Sequence, residues 1–525
     1  MKKAAAEVAT TVTPIIGAER RRSRAGASVI ALASLAFVQC LSAAETGRDA
    51  ARIRAAETGL RDAVEVQGAR QERWTIADRM KHWGVPGVSV AVIRDGMVAW
   101  AKGYGLKQAG TTDKIDTDTV FSVGSVSKVG AASVTLRLVD AGQLNLDHDV
   151  NEYLTRWKIP PNAFSSARPV TLRGILSHTA GLNVHGFPDF KPDAPVPTLL
   201  ETLQGKAPAL TEPVQVTHLP GTKLVYSGGG TTIEQLIIEE RTGLDFSAAA
   251  RRHVFDPLGM KRSTYENPLP ASHGNIAKAH DRDGKPTALP RGWETMPELA
   301  ASGLWTTPSD YAKLMIALMD SYQGDANSFL THELAIQMMT EVGPSRAGLG
   351  PFLDGHGLSR RFAHSGSNDS YKAYIEGYPA TGDGLVIFTN GRRGFRVINE
   401  LRRAIAIAEG WPLTGVTTVP AVTLSAPQLA ELTGLYMVAP AGGVVNTRHG
   451  VAAEAAYKVS ADGTHLRISD ASGVGQIELI AEDRTHFVAD EDADVRVEFV
   501  RGYDGSIERL IHRYGEYAVE AIKQK

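Results

Sequence analysis

The chain has 525 residues, of which 43% are hydrophobic and 22% are charged, and its formal net charge at pH 7 is −2. This composition is ordinary for a globular protein, and the length is too great for one hydrophobic core, so we expect two or more domains. Because no basic cluster interleaved with aromatic residues occurs beyond the N-terminus, nucleic acid is excluded as an expected partner.

The first 44 residues have the pattern of an export signal. A basic segment, Arg20 to Arg24, precedes an apolar run from Ala25 to Leu41, and Ser42 to Ala44 supplies small residues for cleavage. We predict a signal peptide over 1–44 and a periplasmic or secreted protein, with a retained N-terminal membrane anchor as the alternative. The one cysteine, Cys40, falls within this segment, so the mature chain would have no thiol for catalysis or disulfides.

Helix and strand signals then alternate as far as residue 411. The first elements are a helical segment at Asp49–Lys81 (at least in its second half) and strands Gly87–Ile93 and Met97–Ala101, which an Arg94-Asp95-Gly96 turn joins. Helices follow from Ser125 to about Gly142, from a Thr171 cap to Ser177, and at Ile233–Arg241 and Pro308–Met319. Strands Tyr374–Tyr378 and Leu385–Thr389 and a helix Val397–Ala408 complete this part. The proline-rich residues 183–220 predict loops and short helices covering a site. Strands at both ends with helices between them predict an α+β fold, an antiparallel sheet flanked by helices.

The composition changes near residues 412–420, and strand-like runs follow. The runs are Lys458–Ile468, Ile477–Ile480 and the alternating Val495, Val497 and Phe499. We predict a first domain at 45–411, a linker at 412–424 and a small C-terminal all-β domain at 425–525. The last domain contains no catalytic constellation, so we expect a structural or lid-like role for it.

Ser125-Val126-Ser127-Lys128 is the most informative segment for chemistry. Positions i and i+3 share one face of a helix, so Lys128 can reach the Ser125 hydroxyl, and the N-terminal amides of the helix favour negative charge there. A serine hydroxyl needs an adjacent base near neutral pH, and a desolvated lysine can be that base. The alternative is a serine-rich helix cap followed by a solvated lysine. This is the only Ser-x-x-Lys in the chain.

Two further segments contain candidate site residues. Tyr226 precedes Ser227 and three glycines, a tight backbone path that other groups can approach closely. It would act as a general base only if neighbouring cations lowered its pKa, and a half-buried structural tyrosine is the alternative. His364 lies in Phe362–Asp369, immediately before the strand-like Tyr371–Tyr378. A hydrogen-bonded histidine at a strand edge is the alternative there.

Together these segments resemble the three-motif signature of the penicillin-recognising serine hydrolases. The motifs are Ser125-x-x-Lys128, Tyr226-Ser227-Gly228 and His364-Ser365-Gly366, and supporting matches occur at Leu176–Leu182, Pro257–Met260 and Ala301–Asp310. The branch is that of class C β-lactamases, DD-peptidases, family VIII carboxylesterases and D-aminopeptidases. The resemblance runs from about Gly84 to about Ala408. It implies the β-lactamase/transpeptidase-like fold, in which helices flank an antiparallel sheet and a helical subdomain is attached.

The resemblance also implies a role for each residue. Ser125 would attack a carbonyl and form an acyl-enzyme, while Lys128 and Tyr226 share the proton transfers. The backbone amides of Ser125 and Ser367 would form an oxyanion hole, worth roughly 3–4 kcal/mol per donor. Water would then resolve the ester without a metal or cofactor. The residues expected to contact substrate are His364, Ser365, Gly366 and Gly228.

Two departures from the family pattern bear on the substrate. Gly228 replaces an asparagine that binds the substrate's amide carbonyl in many relatives, and His364 replaces a lysine and would give a weaker, pH-dependent positive charge. His364 would still help bind a substrate carboxylate or hold Tyr226 ionised. Both changes disfavour an efficient β-lactamase and fit a peptidase or esterase better. No acidic residue in the motifs offers a separate deacylation base.

Other mechanisms find no support in the sequence. There is no Gly-x-Ser-x-Gly elbow, His-Glu-x-x-His motif, P-loop or Rossmann glycine pattern, and the closely spaced histidines His178 and His185 are expected to be structural. The alternative from another class is a non-catalytic cell-wall-binding protein or scaffold that retains the fold. The sequence leaves D-peptides, cell-wall fragments, β-lactams and short-chain esters as candidate substrates. It allows proximity to the cell wall or membrane and leaves the oligomeric state open.

Overall fold

The structure is a computed structural model that describes residues 48–524 except 191–193, 290–291, 294, 327, 439–455, 464, 472, 474–475 and 515–516. The predicted signal peptide, and the anchor that is its alternative, lie outside the described residues. Within the described part, no helix combines the length and the apolar character needed to span a bilayer. The chain divides into two units, Met1–Arg52 and Ile53–Lys525, and the second contains every described strand.

Strands and helices are numbered here in chain order. The strands are β1 Val64–Val66, β2 Gly87–Arg94, β3 Met97–Gly105, β4 Phe121–Ser122, β5 Trp305–Thr306, β6 Phe352–Asp354, β7 Arg361–Ser367, β8 Lys372–Tyr378, β9 Asp383–Thr389, β10 Thr417–Val419, β11 Gly434–Val438, β12 Ala456–Asp462, β13 His465–Asp470, β14 Ile477–Ala481, β15 His486–Ala489, β16 Val495–Arg501, β17 Ile507–Tyr514 and β18 Tyr517–Lys523. The helices are α1 48–58, α2 Ile76–Trp83, α3 Ser127–Asp140, α4 Ala163–Ala167, α5 Leu172–Leu176, α6 Leu199–Gln204, α7 Gly228–Thr242, α8 Phe246–Ala250, α9 Leu299–Ser302, α10 Pro308–Gln323, α11 His332–Met338, α12 Gly394–Glu409 and α13 Ala426–Leu432.

The central sheet has the strand order β3-β2-β9-β8-β7-β6, and each neighbouring pair is antiparallel. Side chains of β2 alternate between two buried faces, as the two-residue period of a strand requires. Val90 and Val92 pack with α2 and α12, whereas Ala91 and Ile93 belong to the larger core that contains α3, α7 and α10. The predicted antiparallel sheet flanked by helices is therefore confirmed.

The predicted helical subdomain and the predicted C-terminal β-rich part are also present. Helices α3, α5, α6, α7 and α9 contact one another and share the larger core, which forms the helical subdomain. Strands β11 to β18 close into an antiparallel barrel, as expected of an all-β C-terminal part. Apolar side chains fill the barrel, including Tyr436, Leu466, Phe487 and Leu510. Strand β10 pairs in parallel with β1, which ties the segment before the barrel to the part of the chain before α2.

Several local predictions were wrong in detail. Asp49–Lys81 is not one helix: residues 59–75 separate α1 from α2 and include β1, because Thr75 forms a capping box that begins a new helix. Helix α7 begins at Gly228 rather than Ile233, since Ser227 caps it by accepting a hydrogen bond from Gly230 N. The predicted run Lys458–Ile468 is two strands, β12 and β13. The region at 425–525 begins with a helix, α13, before its strands.

Candidate active site

Ser125 and Lys128 lie at the start of α3, as the sequence spacing predicted. Ser125 belongs to a 3-10 turn, Gly124–Val126, that leads directly into the helix. Lys128 Nζ donates one hydrogen bond to Ser125 Oγ at 3.1 Å and another to Ala301 O at 2.9 Å. Lys128 is buried, with 5% of its surface exposed, so its amine is held against the hydroxyl by a fixed carbonyl rather than by solvent.

Buried hydrogen bonds from other elements fix this turn. Tyr265 OH donates to Ser127 O at 2.6 Å, and Tyr311 OH donates to Val126 O at 2.9 Å. Ser127 Oγ accepts from Leu304 N at 3.0 Å. Because these partners come from distant parts of the chain, the position of Ser125 depends on the tertiary structure as well as on the helix.

Strand β7 approaches the Ser125 turn so closely that only glycine fits at two positions. A Cβ on Gly366 would lie 1.9 Å from Val123 O, and a Cβ on Gly124 would lie 2.5 Å from Ser367 N. Gly124 also has a φ of +50°, a conformation that glycine adopts without strain. The contact brings the backbone of Ser367 beside the Ser125 turn.

Tyr226 lies beside Lys128 within a group of rings. Lys128 Nζ is 5.0 Å from the centroid of the Tyr226 ring. In the described chain the rings that contact Tyr226 are His178, His185, Phe352 and His364, at centroid distances of 4.2, 4.9, 6.1 and 6.3 Å. We call Tyr226 and these four residues the aromatic cluster. It joins the three sequence motifs in space.

Three members of the aromatic cluster were not predicted as site residues. His178 and His185 were expected to be structural. Phe352 lies in β6, a strand of only three residues that leaves no alternating pattern in the sequence. His178 does have a structural role, since its Nδ1 accepts a hydrogen bond from Ser227 N at 3.3 Å. The one sequence signal was that His178 lies in the supporting segment Leu176–Leu182. His185 had none beyond its place in the proline-rich loop.

His364 lies within β7, whereas the sequence placed it before a strand. It is buried, with 3% of its surface exposed, and its Nδ1 lies 2.7 Å from Ser365 O, so Nδ1 carries the hydrogen and donates it. Burial, and then the charge of Lys128, lower the pKa of His364 to about 3. The imidazole is therefore neutral at pH 7, and the positive charge expected there is not supplied. Its Nε2 is buried without a hydrogen-bond partner among the described residues.

The remaining predicted residues lie in the same region. Gly228 is the first residue of α7, and its N–H donates to His185 O at 3.1 Å. Ser365 and Ser367 are exposed on β7, on either side of the buried Gly366. In the part of the chain that the structure describes, no group of three or more histidine, cysteine, aspartate or glutamate residues could hold a metal ion.

The neutrality of His364 predicts a pH dependence of stability. In the unfolded chain its pKa returns to about 6.5, so between about 3 and 6.5 the unfolded state binds a proton that the folded state does not. The protein therefore keeps its full stability with respect to His364 above pH 6.5. Its free energy of unfolding decreases as the pH falls from about 6.5 toward 3. In His364→Gln, urea unfolding near pH 7 and near pH 5 should therefore differ less than in the wild type. An equal difference in both proteins would contradict this assignment.

Comparisons with known proteins identify the family of this chain. The family model Beta-lactamase matches residues 73–409. The chain is 26% identical over 355 residues to unguisins hydrolase ungD of Aspergillus violaceofuscus, an alignment that covers 60% of each protein. It is 29% identical over 358 residues to penicillin-binding protein 4 of Amycolatopsis lactamdurans, covering 64% of this chain and 88% of that protein.

Solved structures with low sequence identity share the fold. The octameric penicillin-binding protein homologue from Pyrococcus abyssi is 20% identical, and the match covers 85% of this chain and 98% of that chain with a TM-score of 0.53. EstCE1, a hydrolase with promiscuous acyltransferase activity, is also 20% identical, and the match covers 63% and 96% with a TM-score of 0.50. With the family model matching most of the chain, this protein belongs to the Beta-lactamase family of serine hydrolases.

Proposed function

We propose that this protein hydrolyses uncharged esters or amides through an acyl-enzyme on Ser125. The observation that carries the proposal is the 3.1 Å hydrogen bond between Lys128 Nζ and Ser125 Oγ. A buried amine held beside a serine hydroxyl is the arrangement that activates such a nucleophile. The signal peptide over 1–44, the export that follows from it, and the domain division at 411 and 425 belong to the same proposal and rest on the sequence pattern.

The chemistry proceeds in two steps. In acylation, Ser125 Oγ bonds to the substrate's carbonyl carbon, its proton passes through Lys128 and Tyr226 to the leaving group, and the bond to the leaving group breaks. In deacylation, the oxygen of a water molecule bonds to the same carbon, one proton of that water passes to Oγ through Lys128 and Tyr226, and the bond to Oγ breaks to release the acid. The amides of Ser125 and Ser367 would stabilise the oxyanion in both steps, and the close approach of β7 to Gly124 supports that role.

The neutral state of His364 supports the choice of an uncharged substrate. Relatives with lysine at this position present a fixed cation to a substrate carboxylate, whereas the buried, neutral imidazole of His364 supplies no charge to pair with one. A carboxylate bound here would lose its hydration without gaining a cationic partner, whereas an ester or a peptide amide carries no charge that needs one. The similarity to a protein named as a hydrolase of unguisins, and to a hydrolase with promiscuous acyltransferase activity, supports acyl donors of this kind.

The test compares a neutral substrate with one that carries a carboxylate. We expect the kcat/KM of the wild type for p-nitrophenyl butyrate to exceed, by at least about 100-fold, the second-order rate constant for its acylation by benzylpenicillin. In His364→Lys the ratio of the ester's kcat/KM to the acylation rate constant for benzylpenicillin should fall at least about tenfold. The reason is that a hydrogen bond to a charged group is worth roughly 1.5–3 kcal/mol. His364→Gln is the neutral control and should keep the ester preference.

Two outcomes would overturn the proposal. A wild type that turns over benzylpenicillin faster than the ester would identify a β-lactamase. A wild type that reacts with neither compound, nor with a fluorophosphonate, would favour the non-catalytic scaffold. Both readings come from the unmodified protein, so they do not depend on whether the lysine variant folds.

A further inference from the structure

We propose that Phe187 forms one wall of an acyl-group subsite beside Tyr226, and that this subsite takes apolar acyl chains. The inference rests on the proposed acyl-enzyme function and adds a preference for the acyl group of the substrate, set by the loop that contains His185 and Phe187. Phe187 lies in the loop that follows His185, outside the three sequence motifs.

The loop fills the space that a side chain at position 228 would need. A Cβ added to Gly228 would lie 3.0 Å from Phe187 Cε2, 3.3 Å from His185 O and 3.5 Å from Phe187 Cδ2. The hydrogen bond from Gly228 N to His185 O, at 3.1 Å, holds the loop against the start of α7. An asparagine at 228 therefore has no room unless Phe187 moves.

The two residues together change the chemistry of this wall. An asparagine two positions after the tyrosine would present an amide that donates and accepts hydrogen bonds, whereas Phe187 presents an aromatic ring with no polar atom. Phe187 is partly buried and packs against the larger core, which holds its ring in place. On the Tyr226 side, the ring of His185 lies 4.9 Å from the Tyr226 ring and is tilted by 46° to it, so the same loop also contacts the tyrosine.

We assign this wall to the acyl part of the substrate, because Gly228 stands where the asparagine of many relatives binds the substrate's amide carbonyl. A polar amide in the acyl chain would lose its hydrogen bonds to water without finding a partner on the phenylalanine ring. Each methylene that reaches the ring instead leaves water and should raise kcat/KM about fourfold. The preference therefore distinguishes a pentanoyl chain from an N-acetylglycyl chain, which has the same length but contains an amide.

The experiment measures kcat/KM for the p-nitrophenyl esters of acetate, pentanoate and N-acetylglycine. In the wild type, pentanoate should exceed N-acetylglycinate at least about tenfold. In Phe187→Ala the ratio of pentanoate to acetate should fall at least about tenfold, and in Phe187→Ala/Gly228→Asn the ratio of N-acetylglycinate to pentanoate should rise by a similar factor. Phe164→Ala, which alters an exposed phenylalanine on α4, is the matched control and should leave all ratios as in the wild type.

The outcomes separate this inference from the proposed function. Wild-type hydrolysis that depends on Ser125, combined with Phe187→Ala ratios within about twofold of the wild type, would overturn the subsite and leave the enzyme intact. Absence of any Ser125-dependent hydrolysis would overturn the proposed function itself. Gly228→Asn alone is expected to be less stable than the double variant, and thermal unfolding of both measures whether Phe187 occupies the space.

Discussion

Ser125→Ala should form no covalent adduct with a fluorophosphonate, and Lys128→Ala should be acylated about 10²- to 10⁴-fold more slowly than the wild type. The first variant lacks the oxygen that bonds to the reagent. The second lacks the amine that lies 3.1 Å from that oxygen and would carry its proton. Intact-mass spectrometry of the signal-free protein, sampled over time, gives both the adduct and its rate of formation.

The control for Lys128→Ala is Lys158→Ala. Lys158 is an exposed lysine whose amine donates to Asn151 O, so its loss removes a charge without touching the site. We expect this variant to be labelled at the wild-type rate. Rapid labelling of Lys128→Ala would show that another group activates Ser125, and an adduct on Ser125→Ala would place the nucleophile elsewhere.

Gly366→Ala is expected to slow acylation by at least about 10²-fold, the loss typical of one missing oxyanion-hole donor. Its Cβ would lie 1.9 Å from Val123 O and 3.0 Å from Val126 N, so β7 must move away from the Ser125 turn. The proposed convergence of the Ser367 and Ser125 amides on one oxyanion would then be lost. We also expect the free energy of unfolding to fall by about 1–3 kcal/mol, the usual cost of an overpacked contact. Labelling kinetics and urea unfolding measure the two effects.

Gly174→Ala is the matched glycine control. Gly174 lies within α5, and a Cβ there would meet its nearest neighbours at 3.4 Å, an ordinary contact distance. Alanine has the higher helix propensity, so this variant should be at least as stable as the wild type and equally reactive. If Gly366→Ala reacted at the wild-type rate, the proposed pair of amides would not be the oxyanion hole.

The sequence alone determined the features that depend on local patterns. The hairpin around Asp95, helix α3 and the Thr171 cap all agree with their predicted places, because side-chain periodicity and capping act over a few residues. The spacing of Ser125 and Lys128 likewise allowed their side chains to meet, although distant partners also fix the turn that contains Ser125. The order of the three motifs was sufficient to predict the fold that the family comparison then established.

Local patterns failed where a competing local signal or a distant partner decides the structure. The predicted helix at Asp49–Lys81 is interrupted because Val64–Val66 pairs with β10, more than three hundred residues along the chain. His364 was placed before a strand, yet its pairing with Ile375 makes it part of β7. A strand of mostly small and polar residues has little hydrophobic alternation, so only its neighbour in the sheet reveals it.

The electrostatic state and the specificity of the site were decided by tertiary structure. The sequence could name His364 but not its neutrality, because the pKa depends on burial and on the distance to Lys128. It could note that Gly228 lacks a side chain but not that Phe187 fills the space. Residues such as His185 and Phe352 reach Tyr226 from separate segments. A sequence specifies which groups are available, whereas folding sets the distances between them, and both pKa values and steric exclusion depend on those distances.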